Sequence, residues 1–323
     1  MPRIGEYNLR LAELMPRVRT WAVIKREGHP WGKMEDDMDI LHRAVLIETD
    51  PATGQECFNL AAVLLFGTDE AIIHCCPGYV IDCIRRTDNL DRYDDRLMVR
   101  SNLIEAFDQI MGFIAKHTLD RFFVVDGKRT GVRDHIAFEV VSNILSHQEF
   151  AATMPARVTI EADRLVTENW NRPLHSGPID PDHFKPDPKN PLIAKFFVEI
   201  GYADTLGSGV RNLYKYTQVY SGQDPQLIDG DVFTTIIPLT RIGTSNVPID
   251  VPIDVMMGDG LGDSARRLLQ AIRLDQTQSR AQLAQTAGIT ERQASRLLAQ
   301  LRERGLIRRE GGNRYGKWVV ADE

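Results

Sequence analysis

No run of about 18 uncharged apolar residues occurs in this 323-residue chain, so nothing in it is built as a membrane-spanning helix. The start, Met1-Pro2-Arg3-Ile4-Gly5-Glu6-Tyr7, has neither the apolar core of a signal peptide nor a transit-peptide bias, and the expected location is cytoplasmic. Cysteine is scarce. Cys57, Cys75, Cys76 and Cys83 fall in one short stretch with His74 alongside, but no Cys-x-x-Cys pair exists to chelate zinc from one turn. Read on a strand, Cys75 and Cys76 would point to opposite faces, and buried free thiols in a reducing compartment are the expectation. The remaining composition, 43% hydrophobic and 26% charged, is that of an ordinary globular protein whose length suits two or three domains.

The formal charge of −6 conceals an asymmetry. From Gly260 to Glu323 there are 12 Lys/Arg against 7 Asp/Glu, a net of +5, which leaves −11 on everything before it. A basic tail on an acidic body points toward nucleic acid. Proline and glycine crowd between Thr240 and Gly262, where Val-Pro-Ile-Asp occurs twice over Val247 to Asp254; this density sustains neither helix nor central strand. The expected organisation is therefore an N-terminal α/β region over 1–120, a central domain over 121–240, a linker over 241–259 and a compact module over 260–323.

Within the body, Cys57 to Gly67 reads as a buried strand or short helix and Tyr79 to Arg85 as a strand. Asp94 to Thr118 carries one long amphipathic pattern and predicts a helix. Phe122 to Val125 reads as a strand, Asp134 to His147 as a helix, Arg157 to Ile160 with Arg164 to Glu168 as a hairpin, Lys195 to Ile200 and Gly207 to Tyr220 as helices, and Val232 to Leu239 as a closing strand. Helices followed by antiparallel strands imply an α+β layer.

The C-terminal pattern is sharper. Ser264 to Arg273 is helical, and Ser279-Arg280-Ala281-Gln282 and Thr290-Glu291-Arg292-Gln293 each match a capping box. Ala287-Gly288-Ile289 between them is the short turn of a helix-turn-helix. The third helix turns Ala294, Leu297, Leu298 and Leu301 inward and Arg292, Gln293, Arg296 and Arg302 outward. Two short strands then flank Gly311 and Gly312 and bring Arg308, Arg309, Arg314 and Lys317, a basic wing. This order is that of a winged helix resembling those of bacterial regulators; the third helix would enter a major groove and the wing would contact phosphates. The competing use of such a module is dimerisation or protein contact.

One helix of the body carries a candidate site. In Phe138-Glu139-Val140-Val141-Ser142-Asn143-Ile144-Leu145-Ser146-His147, the carboxylate, carboxamide and imidazole recur every fourth residue and share one face. Such a stripe suits a helix that holds a metal-bound phosphate with Asn and poises a water with Glu. It also suits the wet face of an amphipathic helix.

Four stretches resemble one family. Phe138 to Phe150 is similar to its Arg-Glu-Ala-Leu-x-Asn-Ala-x-x-His-Arg-Asp-Tyr segment, and Asn190-Pro191 followed by Gly201-Tyr202-Ala203-Asp204-Thr205-Leu206-Gly207-Ser208-Gly209-Val210-Arg211-Asn212 is similar to its Arg-Asn-Pro and Gly-Ser-Gly signatures. Ala61 to Gly67 resembles its leucine-rich strand ending in Phe-Gly, and the winged helix is its usual carboxyl terminus. The family is that of predicted transcriptional regulators with a RecG-like, ATPase-like domain related to the GHKL fold, relatives of AlbA/Schlafen-domain proteins. The resemblance implies an α+β chain with a GHKL-like α/β sandwich core, an N-terminal α/β region and a C-terminal winged helix-turn-helix. It implies Glu139 as general base, Asn143 as the magnesium holder, and Asn143, His147, Gly207, Ser208 and Gly209 around ATP. No Asp-x-Gly-x-Gly string follows the strand from Arg164; the chain reads Glu168-Asn169-Trp170-Asn171-Arg172-Pro173 there. Gln148-Glu149 replaces the family's Arg-Asp after the histidine; family members commonly begin with an AlbA-like domain, and with only 56 residues before Cys57 either the natural protein lacks that domain or the chain is a fragment.

The function expected from all this is a DNA-binding regulator with a nucleotide-responsive GHKL-like sensor, using ATP and Mg2+, acting on double-stranded DNA as a homodimer because one module buries too little surface for tight specific binding. The alternative is an ATP-binding or ATP-hydrolysing subunit of a larger complex, for example in phage defence.

Overall fold

Hydrophobic side chains at Leu103, Ile104, Phe107, Ile110 and Ile114 recur at helical spacing, and in the computed structural model of the chain all five are buried along one face of a helix, Leu103–His117. The structure describes residues 4–87, 89, 91–120, 122–125, 128–152, 154–173, 176–181, 188–204, 208–239, 268, 271–272, 276, 278–287, 291–303, 307–310 and 317–320. They fall into two compact units, 1–249 and 250–323.

The first unit opens with helix α1 (Leu11–Lys25), α2 (Asp37–Arg43), the hairpin β1 (Ile47–Thr49) and β2 (Glu56–Phe58), and helices α3 (Leu60–Phe66) and α4 (Asp69–Cys75). Side-chain oxygens of Asp36, Asn59 and Thr68 accept backbone N–H groups at the starts of α2, α3 and α4, which fixes where each begins. Then follow β3 (Ile81–Arg85), β4 (Asp95–Val99), α5 (Leu103–His117), a separate hairpin of β5 (Phe122–Val125) and β6 (Lys128–Gly131), and α6 (Val132–His147). The rest comprises β7 (Ala156–Ile160), β8 (Arg164–Trp170), β9 (Gly177–Pro178), α7 (Pro191–Ile200), α8 (Ser208–Ser221), β10 (Gln226–Asp229) and β11 (Val232–Pro238).

Seven strands form one mixed sheet in the order β4-β3-β7-β8-β11-β10-β9, parallel only between β3 and β7. Along β8, Leu165, Thr167 and Asn169 are buried while Arg164 and Trp170 are exposed, the period-two alternation of a sheet covered on one face. Contacts of α5 with β3 and β4, α6 with β8 and α8 with β11, with α6 packed between α5 and α8, build the covering layer.

Three expectations change. The sheet joins β3 and β4 to β7 and β8, so a boundary near residue 120 would cut through a single sheet. The long helix expected over Asp94 to Thr118 is a strand followed by a helix: Arg96 pairs with Asp82 on β3 through two 2.8 Å hydrogen bonds, and the Asn102 side chain starts the helix afresh by accepting the Glu105 N–H at 3.0 Å. Cys75 ends a helix instead of lying on a strand; Cys76 and Cys83 are buried, but Cys57 is exposed.

In the second unit, Leu268, Ala271 and Ile272 are helical, followed by α9 (Arg280–Thr286), α10 (Glu291–Glu303) and the antiparallel pair β12 (Ile307–Glu310) and β13 (Lys317–Val320). The expected linker 241–259 lies outside the described residues.

Candidate functional site

Helix α6 is buried along most of its length, so the polar stripe is not its wet face. Glu139 is only 8% exposed, and Glu139, Asn143 and His147 together line a cavity of about 110 Å³ with Ser142, Ser146, Val198, Asp204, Gly209 and Leu213 among its other walls. Ordinary helical geometry brings the three together, as the four-residue spacing requires.

Asn212 on α8 donates from Nδ2 to Glu139 Oε1 at 2.8 Å and lies 3.3 Å from Asp204 Oδ2, while Lys25 Nζ on α1 reaches Asp204 Oδ1 at 3.0 Å. Burial pushes the Glu139 carboxyl up to about 7, with the Asn212 hydrogen bond pulling it down and the negative charge of Asp204 pushing it up. A Cβ at Gly209 would meet Glu139 Oε2 at 2.9 Å, so glycine there lets α8 start against the carboxylate. Ser208 begins the same helix but is not among the cavity walls, and Gly207 lies outside the described residues.

The sequence reading missed Lys25, Asp204 and Asn212. Asn212 had a signal, since it stands one turn from Ser208 within the string that carries the family resemblance. The Asn190-Pro191 signature acts as a structural tie. Asn190 Nδ2 donates to the carbonyls of Ser146 and Gln148 at 3.1 and 2.8 Å, joining the end of α6 to the start of α7. Where the Asp-x-Gly-x-Gly string is missing, Asn169 and Asn171 are buried. Asn169 Nδ2 donates to the His147 carbonyl at 3.2 Å, and Asn171 Nδ2 to Asp229 and the Gly230 carbonyl at 2.5 and 2.9 Å. Gln148 Oε1 and Asn169 Oδ1 are buried acceptors with no hydrogen-bond donor among the described residues.

The second unit carries the other candidate interface. Its core consists of Leu268, Ala271, Ile272, Leu283, Ala284, Ala287, Ala294, Leu298, Leu301, Ile307 and Trp318, with Leu297 packed against it. Of the two expected capping boxes, the first exists, with Ser279 Oγ accepting the Gln282 N–H and Gln282 Oε1 accepting the Ser279 N–H at 2.8 Å, while Thr290 of the second lies outside the described residues. Arg302 on α10 and Arg308, Arg309 and Lys317 on the strands are exposed, with the Arg309 guanidinium 5.1 Å from the centre of the Trp318 ring. Arg292, Gln293 and Arg296 belong to α10 by position, while their side chains and all of Arg314 lie outside the described residues.

Residues 261–322 match the family model of the Crp-like helix-turn-helix domain, and residues 12–82 match a domain of unknown function, DUF8451. No curated protein matches the chain. Among solved structures, the chain is similar to the DIP2311 protein from Corynebacterium diphtheriae, at 14% identity and a TM-score of 0.57, over 99% of this chain and 63% of that one. The chain thus spans less than two thirds of that protein, and at this identity the likeness concerns the fold alone. The carboxyl-terminal match, with the capped helix, third helix and strand pair, makes the second unit a helix-turn-helix domain of the kind that suggests a DNA-binding regulator.

Proposed function

We propose that the protein is a transcriptional regulator that binds double-stranded DNA through its carboxyl-terminal module and responds to a nucleotide through the cavity beneath α6. The observation that carries this reading is the helix-turn-helix with exposed Arg302, Arg308, Arg309 and Lys317 on its third helix and strand pair. α10 would supply base contacts and the wing phosphate contacts.

The cavity suits the phosphate end of a magnesium nucleotide better than the whole molecule, because about 110 Å³ falls short of the roughly 300–1,000 Å³ typical of sites for larger ligands. Its charged walls, Glu139 and Asp204, are both acidic, so a phosphate would enter with a cation, and the carboxylate and amide oxygens are the hard donors that magnesium takes. Asn143 would hold that ion, Gly209 at the start of α8 would face the phosphate with backbone N–H groups, and His147 would lie along the ligand. Magnesium would neutralise the phosphate charge.

A second reading, an ATP-hydrolysing subunit of a larger complex, draws on Glu139. A carboxyl that titrates near neutrality suits a general base toward water.

Calorimetric titration of the full chain with Mg-ATP, Mg-ADP and a non-nucleotide control, repeated on Asn143→Ala, tests the sensor. Saturable nucleotide binding lost in Asn143→Ala is expected; no heat with either nucleotide would remove the sensor and leave the cavity as scaffold. Duplex binding by the full chain at low salt tests the DNA side, and failure to bind any duplex there would sink the regulator reading.

A further inference from the structure

On the other side of α7 lies a second cavity, of about 320 Å³, formed by the residue that caps the end of α1, the turn after it, the end of α2 and α7. Its floor is aromatic and buried: His29, Trp31 and Phe196 are 3%, 6% and 1% exposed, with the Trp31 and Phe196 rings 5.4 Å apart. Its rim carries Arg26, Arg43, Lys195 and Glu199.

The acid on this rim is already engaged. His29 Nδ1 accepts the Trp31 N–H at 3.2 Å, so the ring proton sits on Nε2, which donates to Glu199 Oε2 at 2.6 Å. The three cations have no such partner. Arg26, Arg43 and Lys195 make no side-chain hydrogen bond or ion pair among the described residues, and all three are exposed. Beside them the backbone is strained: Val45, directly after the cavity-lining Arg43 and Ala44, has φ +58°, a left-handed conformation costly for a β-branched residue. That conformation closes α2 with a Leu46 N–H to Leu41 carbonyl bond of 2.9 Å and leaves Arg43 at the cavity mouth.

We infer that this cavity is a binding site for a small phosphate monoester with an aromatic or apolar body. Guanidinium forks pair with phosphate oxygens in a bidentate way. Three positive charges beside one acid, Glu199, that is already hydrogen-bonded to His29 leave the rim net positive and suit a dianion better than a single carboxylate. The aromatic floor would take the organic part, and the volume lies at the lower end of the usual range for ligand pockets, roughly 300–1,000 Å³. The site is independent of the nucleotide reading but not isolated from that cavity. α7 sends Ala194 and Val198 to the Glu139 cavity and Lys195, Phe196 and Glu199 to this one.

The test is calorimetric titration of the full chain with phenyl phosphate, inorganic phosphate and benzyl alcohol, on wild type, Arg26→Gln, Arg43→Gln, Lys195→Gln and Asn143→Ala. The three cation positions are exposed, so these variants keep the fold. Phenyl phosphate is expected to bind one-to-one, at least tenfold more weakly in Arg26→Gln and Arg43→Gln and unchanged in Asn143→Ala, with inorganic phosphate weaker. Absence of saturable phenyl phosphate binding, or equal binding by wild type and both arginine variants, overturns the site. Benzyl alcohol binding as tightly as phenyl phosphate overturns its anion preference, and inorganic phosphate doing so overturns the role of the aromatic floor. Binding lost in Asn143→Ala instead would assign the phosphate to the other cavity.

Discussion

At the scale of single residues, Glu139 is the most consequential. Its carboxyl is pushed up to about 7 by burial, so the folded state holds a proton that the unfolded chain releases in the ordinary carboxylate range. The stabilisation is full below that range and is lost as pH rises to about 7. Across that window the loss amounts to roughly 3 kcal/mol. Glu139→Gln keeps an acceptor for Asn212 and cannot ionise, so denaturant unfolding should show its stability gaining on wild type between pH 5 and pH 8; parallel curves would contradict the buried proton. Gly209→Ala should displace the carboxylate, since the new methyl would sit 2.9 Å from Oε2, and the expected cost is about 1 kcal/mol in thermal unfolding. That Glu139, Asn143 and His147 share one helix face was legible because helical spacing alone brings them together; that this face lines a cavity was not. Lys25 and Asp204 were not, since tertiary packing from distant parts of the chain delivers them.

At the scale of elements, regular periodicity was readable and interruptions were not. The α6 helix, the β7–β8 hairpin and the β12–β13 pair stand where apolar patterning places them. The strand Asp95–Val99 was hidden because its Leu97 fits the helical pattern that continues into α5; only pairing with β3 makes it a strand. The amino-terminal helices were equally opaque: α1 contains Pro16, and its apolar positions declare no single face in sequence. Two joints between elements are testable. Asn190→Ala leaves the Ser146 and Gln148 carbonyls without their donor, and the expected loss is about 1–3 kcal/mol by chemical denaturation. Val45→Gly relieves the left-handed strain that ends α2 and should stabilise the protein by about 1 kcal/mol; a destabilised variant would show that Val45 is held there by contacts worth more than the strain.

At the scale of the whole molecule, the division into an acidic body and a basic carboxyl-terminal unit was the plainest message of the sequence, and the structure separates two units at 249/250. The finer division of the body near residue 120 was not there to be read, because sheet pairing over long sequence separation leaves no local mark. If the wing meets the phosphate backbone, duplex affinity of the full chain should fall steeply with salt. The double change Arg308→Gln and Lys317→Gln should reduce the log-log salt slope by roughly 1.8, near 0.9 for each lost phosphate contact. An unchanged slope would place the wing off the DNA. Helix α7 has ten residues and a different set of side chains for each chamber it divides. Each residue added to an α-helix rotates all later positions by about 100°. Substitutions along α7 therefore act on one chamber at a time, whereas a one-residue insertion ahead of Ala194 would carry Ala194 and Val198 toward the second chamber and a deletion there would carry Lys195 and Glu199 toward the first, so this helix should tolerate change of letter far better than change of length.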